Sequence, residues 1–466
     1  MGDSELKRYF EQLSGAYRNR DGGAMVQLLQ AEVAGHPGGS ALAAFVGGGV
    51  DLKRACQQCL EEELVDAAAA HLAVLGAMGV GNHIDAHASQ QAAYLAFVRS
   101  LFQPAEDHWL VPALCRMTLD LRLLIHAADR QEAAGRGGSD GASAAVSERR
   151  LREGVEAFGK GFSGSFKHVG HSVATSKKVG CIFCANTLFK VCFRLNHLRS
   201  CMTNTVSIND LRMFKYDVEE FPKALAVTYK FFMGRVHMFQ DHDAEAEACL
   251  SYAFRYCPLG GPAAAGGAAA IGGAAGGGAA AAGCSRGYKN RRMILQYLVP
   301  VKLLLGAQPH PLLLERYNLP ELAALALAVR RGDLRSFNAT MEAHQVAFVR
   351  QGLFLVLEKL KLLLYRNLFK RVCMIDIAKG GGEGGGGEAG TGAWTGRMKL
   401  AHFQRALAWL GADMDLDEIE CILANLIGQG FIKAYLHHKS REMICKKGAI
   451  GEAFPNAAAA IAKAKR

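Results

Sequence analysis

The chain has 466 residues, half of them hydrophobic, so it can bury a large core, and its length indicates two or three domains. Its formal net charge of +11 favours a polyanionic partner, whether nucleic acid, an acidic protein or an anionic membrane, and does not choose among them. The first ten residues contain no apolar signal core, and charges interrupt every long apolar run. We therefore expect a soluble intracellular protein. The thirteen cysteines have no framework spacing, which is typical of reduced, mostly buried thiols.

The first 130 residues are predicted to be helical almost throughout. Leu6, Tyr9, Phe10 and Leu13 form an apolar stripe at helical spacing, and Asp21 begins a second helix. Residues 35–49 form a Gly-rich spacer, and a longer helical block covers residues 51–129.

Short turns rich in Gly, Asn or Asp join pairs of predicted helices at residues 79–83, 240–244 and 331–334. Paired helices joined in this way favour a stacked helical-repeat array, although the intervals are unequal. Gly- and Ala-rich segments at 133–145, 258–283 and 379–396 cannot bury enough side chain to offset their ordering entropy, so we expect flexible loops there.

These segments divide the chain into predicted regions. They are an N-terminal helical region (1–132), a helical-repeat array (147–257), a flexible insertion (258–287), a second helical part (288–378), another flexible insertion (379–396), a winged helix (397–450) and a tail (451–466).

The winged-helix prediction is based on residues 413–447. Asp415 and Glu418 have the spacing of a capping box, and the apolar residues that follow lie on one helical face until Gly428 and Gly430 end the helix. From Phe431 the apolar period becomes two, which indicates a strand, a polar turn and a returning strand.

Basic residues are concentrated in two helical stretches before this module. Residues 286–314 contain no acid, and residues 358–371 contain one, Glu358. We expect Pro300 to break or kink the first of these helices.

Three runs in this order resemble the PCI-domain proteins: KNRRMILQYLVPVKLLLG (289–306), FVRQGLFLVLEKLKLLLYRNLFKRV (348–372) and DLDEIECILANLIGQG (415–430). They are most similar to the PCI-domain subunit of the nuclear-pore-associated transcription and mRNA-export complex. The resemblance covers about residues 50–447 and lapses in the Gly-rich segments.

This resemblance implies a mainly α fold, in which a stacked, TPR-like helical-repeat array is followed by a C-terminal winged helix, and it implies no catalytic activity. It also implies that the chain pairs with a large PCI-domain scaffold subunit, that a small acidic disordered subunit joins them, and that the joined basic surface holds RNA or DNA in the nucleus. A cytoplasmic pool is also compatible with it. A related PCI subunit occurs in the signalosome, so assembly into a signalosome-like or proteasome-lid-like complex, binding proteins only, stays open.

Charge decides how the winged helix would meet nucleic acid. Asp417, Glu418 and Glu420 make the polar face of the helix before the wing acidic, which opposes DNA reading through this helix. The hairpin has the opposite balance, although lysines also protect exposed strand edges from pairing. The predicted backbone-binding residues are basic or are histidines: Lys289, Arg291, Arg292, Arg366, Lys370, Arg371, Lys433, His437, Lys439, Arg441 and Lys446.

The sequence gives little support for catalysis or for a cofactor. The pairs Cys56/Cys59 and Cys181/Cys184 have zinc-like spacing, yet they lie in apolar helical stretches, and a structural site needs four convergent ligands. His83 and His87 lack the adjacent glutamate of a metalloprotease helix. We therefore expect no metal, no cofactor and no small-molecule substrate, and we expect no membrane partner.

Overall fold

The computed structural model describes residues 2–46, 51–102, 107–135, 140–166, 172–173, 176–195, 217–258, 286–378, 396–445 and 450–458. This part of the chain is mainly helical, with a single three-stranded sheet near its end, as the sequence predicts. The chain divides into two compact units between Phe232 and Met233, which lie within one helix. This division falls inside the predicted repeat array of residues 147–257.

The first unit consists of consecutive helices. They are α1 (Gly2–Arg18), α2 (Gly22–Leu28), α3 (Gly39–Val46), α4 (Leu52–Cys59), α5 (Glu62–Gly79), α6 (His83–Ala96), α7 (Val111–Gly135), α8 (Asp140–Phe166), α9 (Lys178–Leu195) and the first part of α10 (Lys223–Phe239). Short 3-10 turns occupy Val33–Gly35, Asp107–Leu110 and Val218–Glu220, and a π-helical turn at Phe97–Leu101 extends α6.

Capping residues decide where several of these helices begin. The Asp21 side chain accepts hydrogen bonds from the amides of Gly23 and Ala24, and Asp51 accepts one from Arg54. The predicted turn at 79–83 is confirmed: Gly81 has φ of +72°, and the Asn82 side chain caps α6. Successive helices from α5 to α9 pack on one another, which is the arrangement of a helical-repeat array.

The core of this unit contains the predicted stripe on α1, with Leu6, Tyr9, Phe10 and Leu13 all buried. Nearby helices are also joined by charge, because Arg150 of α8 forms ion pairs with Asp129 and Glu132 of α7.

Two sequence predictions in this unit are wrong. The Gly-rich spacer at 35–49 contains α3, whose Leu42 and Ala43 are buried. The helix forms because Gly39 is its only glycine and stands at its first position, while Ala and Leu occupy its interior. The loop predicted at 133–145 is wrong at both of its ends, because α7 continues to Gly135 and α8 starts at Asp140; residues 136–139 lie outside the described residues. The other two predicted insertions lie outside the described residues, apart from Pro258 and Gly396.

The second unit begins in α10 and contains the remaining elements. They are α11 (Asp243–Tyr256), α12 (Arg286–Leu304), α13 (Pro311–Arg316), α14 (Pro320–Arg331), α15 (Leu334–Ala343), α16 (Gln345–Gln351), α17 (Phe354–Glu358), α18 (Leu360–Ala378), β1 (Arg397–Lys399), α19 (Leu400–Trp409), α20 (Leu416–Gly428), β2 (Ala434–His437), β3 (Glu442–Cys445) and α21 (Ile450–Ala453).

Glycines allow close approach in this unit. A Cβ atom at Gly234 of α10 would lie 2.6 Å from Cγ of Leu250 on α11. The predicted pairing of these two helices therefore needs glycine, which has no side chain, at this position. Gly332, with φ of +66°, ends α14, and Asp333 caps α15, which confirms the predicted turn at 331–334.

Of the break or kink predicted at Pro300, the break does not occur, because α12 continues through this residue to Leu304. Burial explains the continuity: Val299 and Leu303 are buried on one side of the helix and Val301 on the opposite side, and this packing outweighs the hydrogen bond that proline cannot donate.

The winged helix surrounds a small antiparallel sheet in the order β1-β3-β2. Strand β3 pairs with both neighbours, placing Met443 opposite Met398 of β1 and Leu436 of β2. Its buried residues, Met443 and Cys445, alternate with the less buried Ile444, as the period of two predicts. The module is joined to the preceding helices by Phe403 of α19, whose ring lies 4.7 Å from that of Phe369 on α18.

Candidate nucleic-acid interface

The helix before the wing, α20, begins at the predicted capping box. The Glu418 amide donates to Asp415 at 2.7 Å, and the Asp415 amide donates to the Glu418 carboxylate at 3.0 Å. On its apolar face Ile419, Leu423 and Leu426 are fully buried. The helix is therefore fixed by its core face, and its acidic face is left toward the wing and solvent.

The wing turns through a 3-10 segment at His438–Ser440, held by short-range hydrogen bonds. The Ser440 amide donates to Nδ1 of His437, and its hydroxyl donates to the Glu442 carboxylate at 3.1 Å. Arg441 follows with a left-handed φ of +51°. His437, a predicted backbone-binding residue, is exposed but uses one ring nitrogen to shape the turn.

Wing residues also bind the acidic face of α20. Arg441 forms ion pairs with Asp417 and, at 2.7 Å, with Glu420, while Nδ1 of His438 lies 2.9 Å from the same Glu420 carboxylate. The hydrogen bond from Arg441 to Asp417 raises the pKa of Arg441. Arg441 was predicted to contact phosphate. In the structure its charge is balanced by two carboxylates, and it orients the wing.

Two further wing cations differ from Arg441 in their environment. Lys433 and Lys439 are exposed, and within the described part of the chain neither forms an ion pair. The backbone beneath Lys433 is fixed, because its amide donates to the Ala453 carbonyl of α21 at 2.8 Å. Lys446, also predicted for this site, lies outside the described residues. The described part of the wing therefore presents two exposed cations that form no ion pair within it.

The basic cluster at the start of α12 has two different roles. Arg291 donates two hydrogen bonds to the Cys257 carbonyl at 2.9 and 2.7 Å, and its guanidinium lies over the ring of Phe254. Arg292 donates to the carbonyls of Tyr317 and Asn318. These arginines hold neighbouring turns against α12. Lys289 is exposed, and it makes no such contact with the residues that the structure describes.

The basic residues predicted on α18 differ in burial. Arg366 is only 6% exposed and donates to the carbonyls of Phe454 and Pro455. Arg371 is exposed and donates to the Arg331 carbonyl at 2.6 Å, at the end of α14. Lys370 is partly exposed, and burial, together with the charge of Arg366, lowers its pKa.

The predicted site residues are therefore spread over α12, α18 and the wing. Among the described side-chain contacts, none connects a predicted site residue of one of these elements to a predicted site residue of another. Sequence reasoning missed Arg330 and Arg331 at the end of α14, which are exposed and lie next to the α18 cations. The pair of arginines directly before Gly332 was a signal for them, because basic residues commonly end a helix.

The two cysteine pairs differ in exposure. Cys56 is buried and Cys59 is exposed. Cys181 and Cys184 are both buried in α9, where burial raises the pKa of the Cys184 thiol to about 11. His87 is buried in α6, and burial lowers its pKa. Among the residues described, no group of three or more His, Cys, Asp or Glu side chains could hold a metal ion. The described helices include none long and apolar enough to span a membrane.

A helical-repeat array followed by a C-terminal winged helix is the architecture of the PCI class of fold. Known PCI-domain proteins are also similar to this chain in sequence. None of the available family models matches the chain. PCI domain-containing protein 2 from Danio rerio is 30% identical over 453 residues, covering 96% of this chain and 97% of the relative. The Xenopus laevis protein of the same name is 32% identical, covering 84% of this chain and 85% of the relative.

A plant relative, enhanced ethylene response protein 5 of Arabidopsis thaliana, is 33% identical, covering 79% of this chain and 76% of the relative. The chain therefore belongs to the PCI domain-containing protein 2 family. PCI-domain proteins are generally non-catalytic scaffolds.

Proposed function

We propose that this protein is a non-catalytic scaffold subunit of a nuclear, transcription-coupled mRNA-export complex, associated with the nuclear pore. In this role it pairs with a second, larger PCI-domain subunit, and a small acidic disordered subunit joins the pair. The shared basic surface binds RNA or DNA through the phosphate backbone without choosing a sequence.

The observation that carries the nucleic-acid part is the division of charge within the winged helix. Arg441 forms ion pairs with Asp417 and Glu420 of α20, so less of that helix's negative charge opposes a polyanion. Lys433 and Lys439 stay exposed on the same hairpin. Lysine is a point-charge partner for phosphate, and such contacts give affinity without sequence choice.

The test is a fluorescence-anisotropy titration of single-stranded RNA and DNA across salt concentration, with the intact chain and Lys433→Gln/Lys439→Gln. Each lost phosphate contact lowers the slope of log affinity against log salt by about 0.7 for a single strand, so the double variant is expected to lose about 1.4. Arg255→Gln/Arg350→Gln removes the same charge from exposed positions on α11 and α16 and is the matched control.

If the proposal is correct, the wing variant lowers the salt slope and the control variant does not. If both double variants lower the slope equally, binding depends on net charge alone and not on the wing. If neither changes it, the winged helix takes no part in nucleic-acid binding.

One observation favours the alternative, a PCI assembly subunit of a signalosome-like or proteasome-lid-like complex that binds proteins only. Trp409 and Tyr435 of the winged helix are 75% and 61% exposed, and exposed aromatic residues are typical of protein interfaces. Purification of the tagged chain from cells, with its partners identified by mass spectrometry, separates the two. Export-complex and pore proteins support the proposal, whereas signalosome or lid subunits support the alternative.

A further inference from the structure

A cleft of about 430 Å³ in the second unit is lined by cations without acids. Its walls are the turn after α12, the end of α14, one face of α18 and the segment after α21. Of the described residues that line it, three are cationic and three carry side-chain amides, and none is a carboxylate: Arg330, Arg366, Lys370, Gln308, Asn367 and Asn456.

Two glycines with positive φ bring these walls together. At Gly306, with φ of +79°, a Cβ atom would lie 2.7 Å from the Ala458 amide, so the segment after α21 packs directly on this turn. At Gly332, with φ of +66°, a Cβ atom would lie 2.5 Å from the Leu368 amide of α18. The cleft is therefore a built feature of the backbone, bounded on two sides by contacts that a side chain would prevent.

Among the described residues, the central cation of the cleft, Arg366, forms no ion pair. The Arg366 side chain is buried, with only 6% of its surface exposed. It donates hydrogen bonds to the carbonyls of Phe454 and Pro455 and to the side chain of Asn367. Its Nε has no hydrogen-bond partner among the described residues. A buried guanidinium normally pairs with a carboxylate or another anion, because neutral carbonyls compensate only part of the lost hydration.

A second cation adds to the same unbalanced charge. Lys370 lies one helical turn after Arg366 on α18, and the positive charge of Arg366 contributes to lowering its pKa. Arg330 completes the set from the facing helix α14. Three cations around one small cleft match a ligand with more than one negative charge and several acceptor oxygens, which a phosphate group provides better than a single carboxylate does.

We infer that this cleft binds a phosphate group of a compact, multiply charged phosphorylated molecule. The volume suits a small ligand and lies within the usual range of ligand pockets. A continuous nucleic-acid backbone needs an open track, whereas these residues surround a concave site. The inference does not depend on the wing and is independent of the proposed nucleic-acid contact.

The test is isothermal titration calorimetry of the intact chain with inorganic tripolyphosphate. One binding site is expected, weakened roughly tenfold or more in Lys370→Gln and in Arg330→Gln, since each removes a charge-assisted contact. Neither side chain makes a described hydrogen bond, so both variants are expected to fold, and thermal unfolding without ligand checks this. Arg350→Gln, exposed on α16, is the matched control and keeps the wild-type affinity.

Absence of a saturable site, or equal weakening by Lys370→Gln and Arg350→Gln, overturns the inference. Lys433→Gln/Lys439→Gln is expected to bind tripolyphosphate normally, so a failure of the cleft and a failure of the wing give different results.

A 5′-phosphorylated oligonucleotide and its unphosphorylated twin distinguish two sources of the phosphate. Equal affinities assign the cleft to a free phosphorylated molecule. Tighter binding of the phosphorylated strand, lost in Lys370→Gln, assigns it to a strand end, and each of these results supports a phosphate site.

Discussion

Replacement of Gly332 by alanine should destabilise the second unit through contact as well as strain. Alanine in the left-handed region costs about 1–2 kcal/mol, and the new Cβ would lie 2.5 Å from the Leu368 amide and 2.7 Å from its Cα. These are backbone atoms of a packed helix, so relief requires movement of α18, at about 1–3 kcal/mol for overpacking. Loss of glycine's freedom in the unfolded chain returns about 0.4–1 kcal/mol. The expected net loss is about 3 kcal/mol.

Gly411 gives the matched control for this prediction. Its φ is +86°, and a Cβ atom there would meet nothing within 4 Å, so Gly411→Ala carries the strain without the contact. The expected cost is about 1 kcal/mol. Amide hydrogen exchange of α18, measured by mass spectrometry, reports the local free energy of opening in each variant. If Gly332→Ala costs no more than Gly411→Ala, the close packing of this turn against α18 is not a determinant of stability.

Two further predictions concern the cap of α20 and a buried histidine. Asp415→Ala removes the capping box with Glu418 and should cost about 1 kcal/mol, seen as faster exchange of the first amides of α20, whereas Asp415→Asn should retain most of the protection. His71 is fully buried, and burial lowers its pKa to about 3. Above pH 6.5 the histidine is neutral in both the folded and the unfolded chain. As the pH falls from 6.5 toward 3, protons bind preferentially to the unfolded chain, so the free energy of unfolding decreases. His71→Phe should therefore reduce the acid sensitivity of thermal unfolding by up to about 1.4 kcal/mol per pH unit in this range, and an unchanged pH dependence would contradict the assignment.

Local sequence signals predicted the parts of the fold that depend on neighbouring residues. The capping box of α20 and the turns at 79–83 and 331–334 need only residues within one helical turn, so their patterns can be recognised directly. The short strand β1 could not be predicted in this way. It follows a Gly-rich stretch, and its three residues form a strand because β3 supplies their partners.

The roles of the candidate site residues could be predicted from local sequence even less well than strand β1. The sequence predicted Arg366 and Arg441 as residues that bind the nucleic-acid backbone, but their hydrogen bonds in the structure depend on distant partners. Arg441 meets Glu420 of α20, and Arg366 meets the Phe454 carbonyl after α21. Charge patterns predict which side chains could bind an anion, whereas burial and hydrogen bonding decide which are available, and these arise only from tertiary packing.

The segment 450–457 contacts both proposed anion sites. Its Ala453 carbonyl accepts the Lys433 amide at the base of the wing, and a few residues later Phe454 and Pro455 accept hydrogen bonds from buried Arg366. A ligand that tightens this segment at the cleft would thereby also restrict the hairpin. The short helix α21 and the residues after it are therefore the one covalent segment whose described backbone hydrogen bonds reach both the base of the wing and the wall of the cleft.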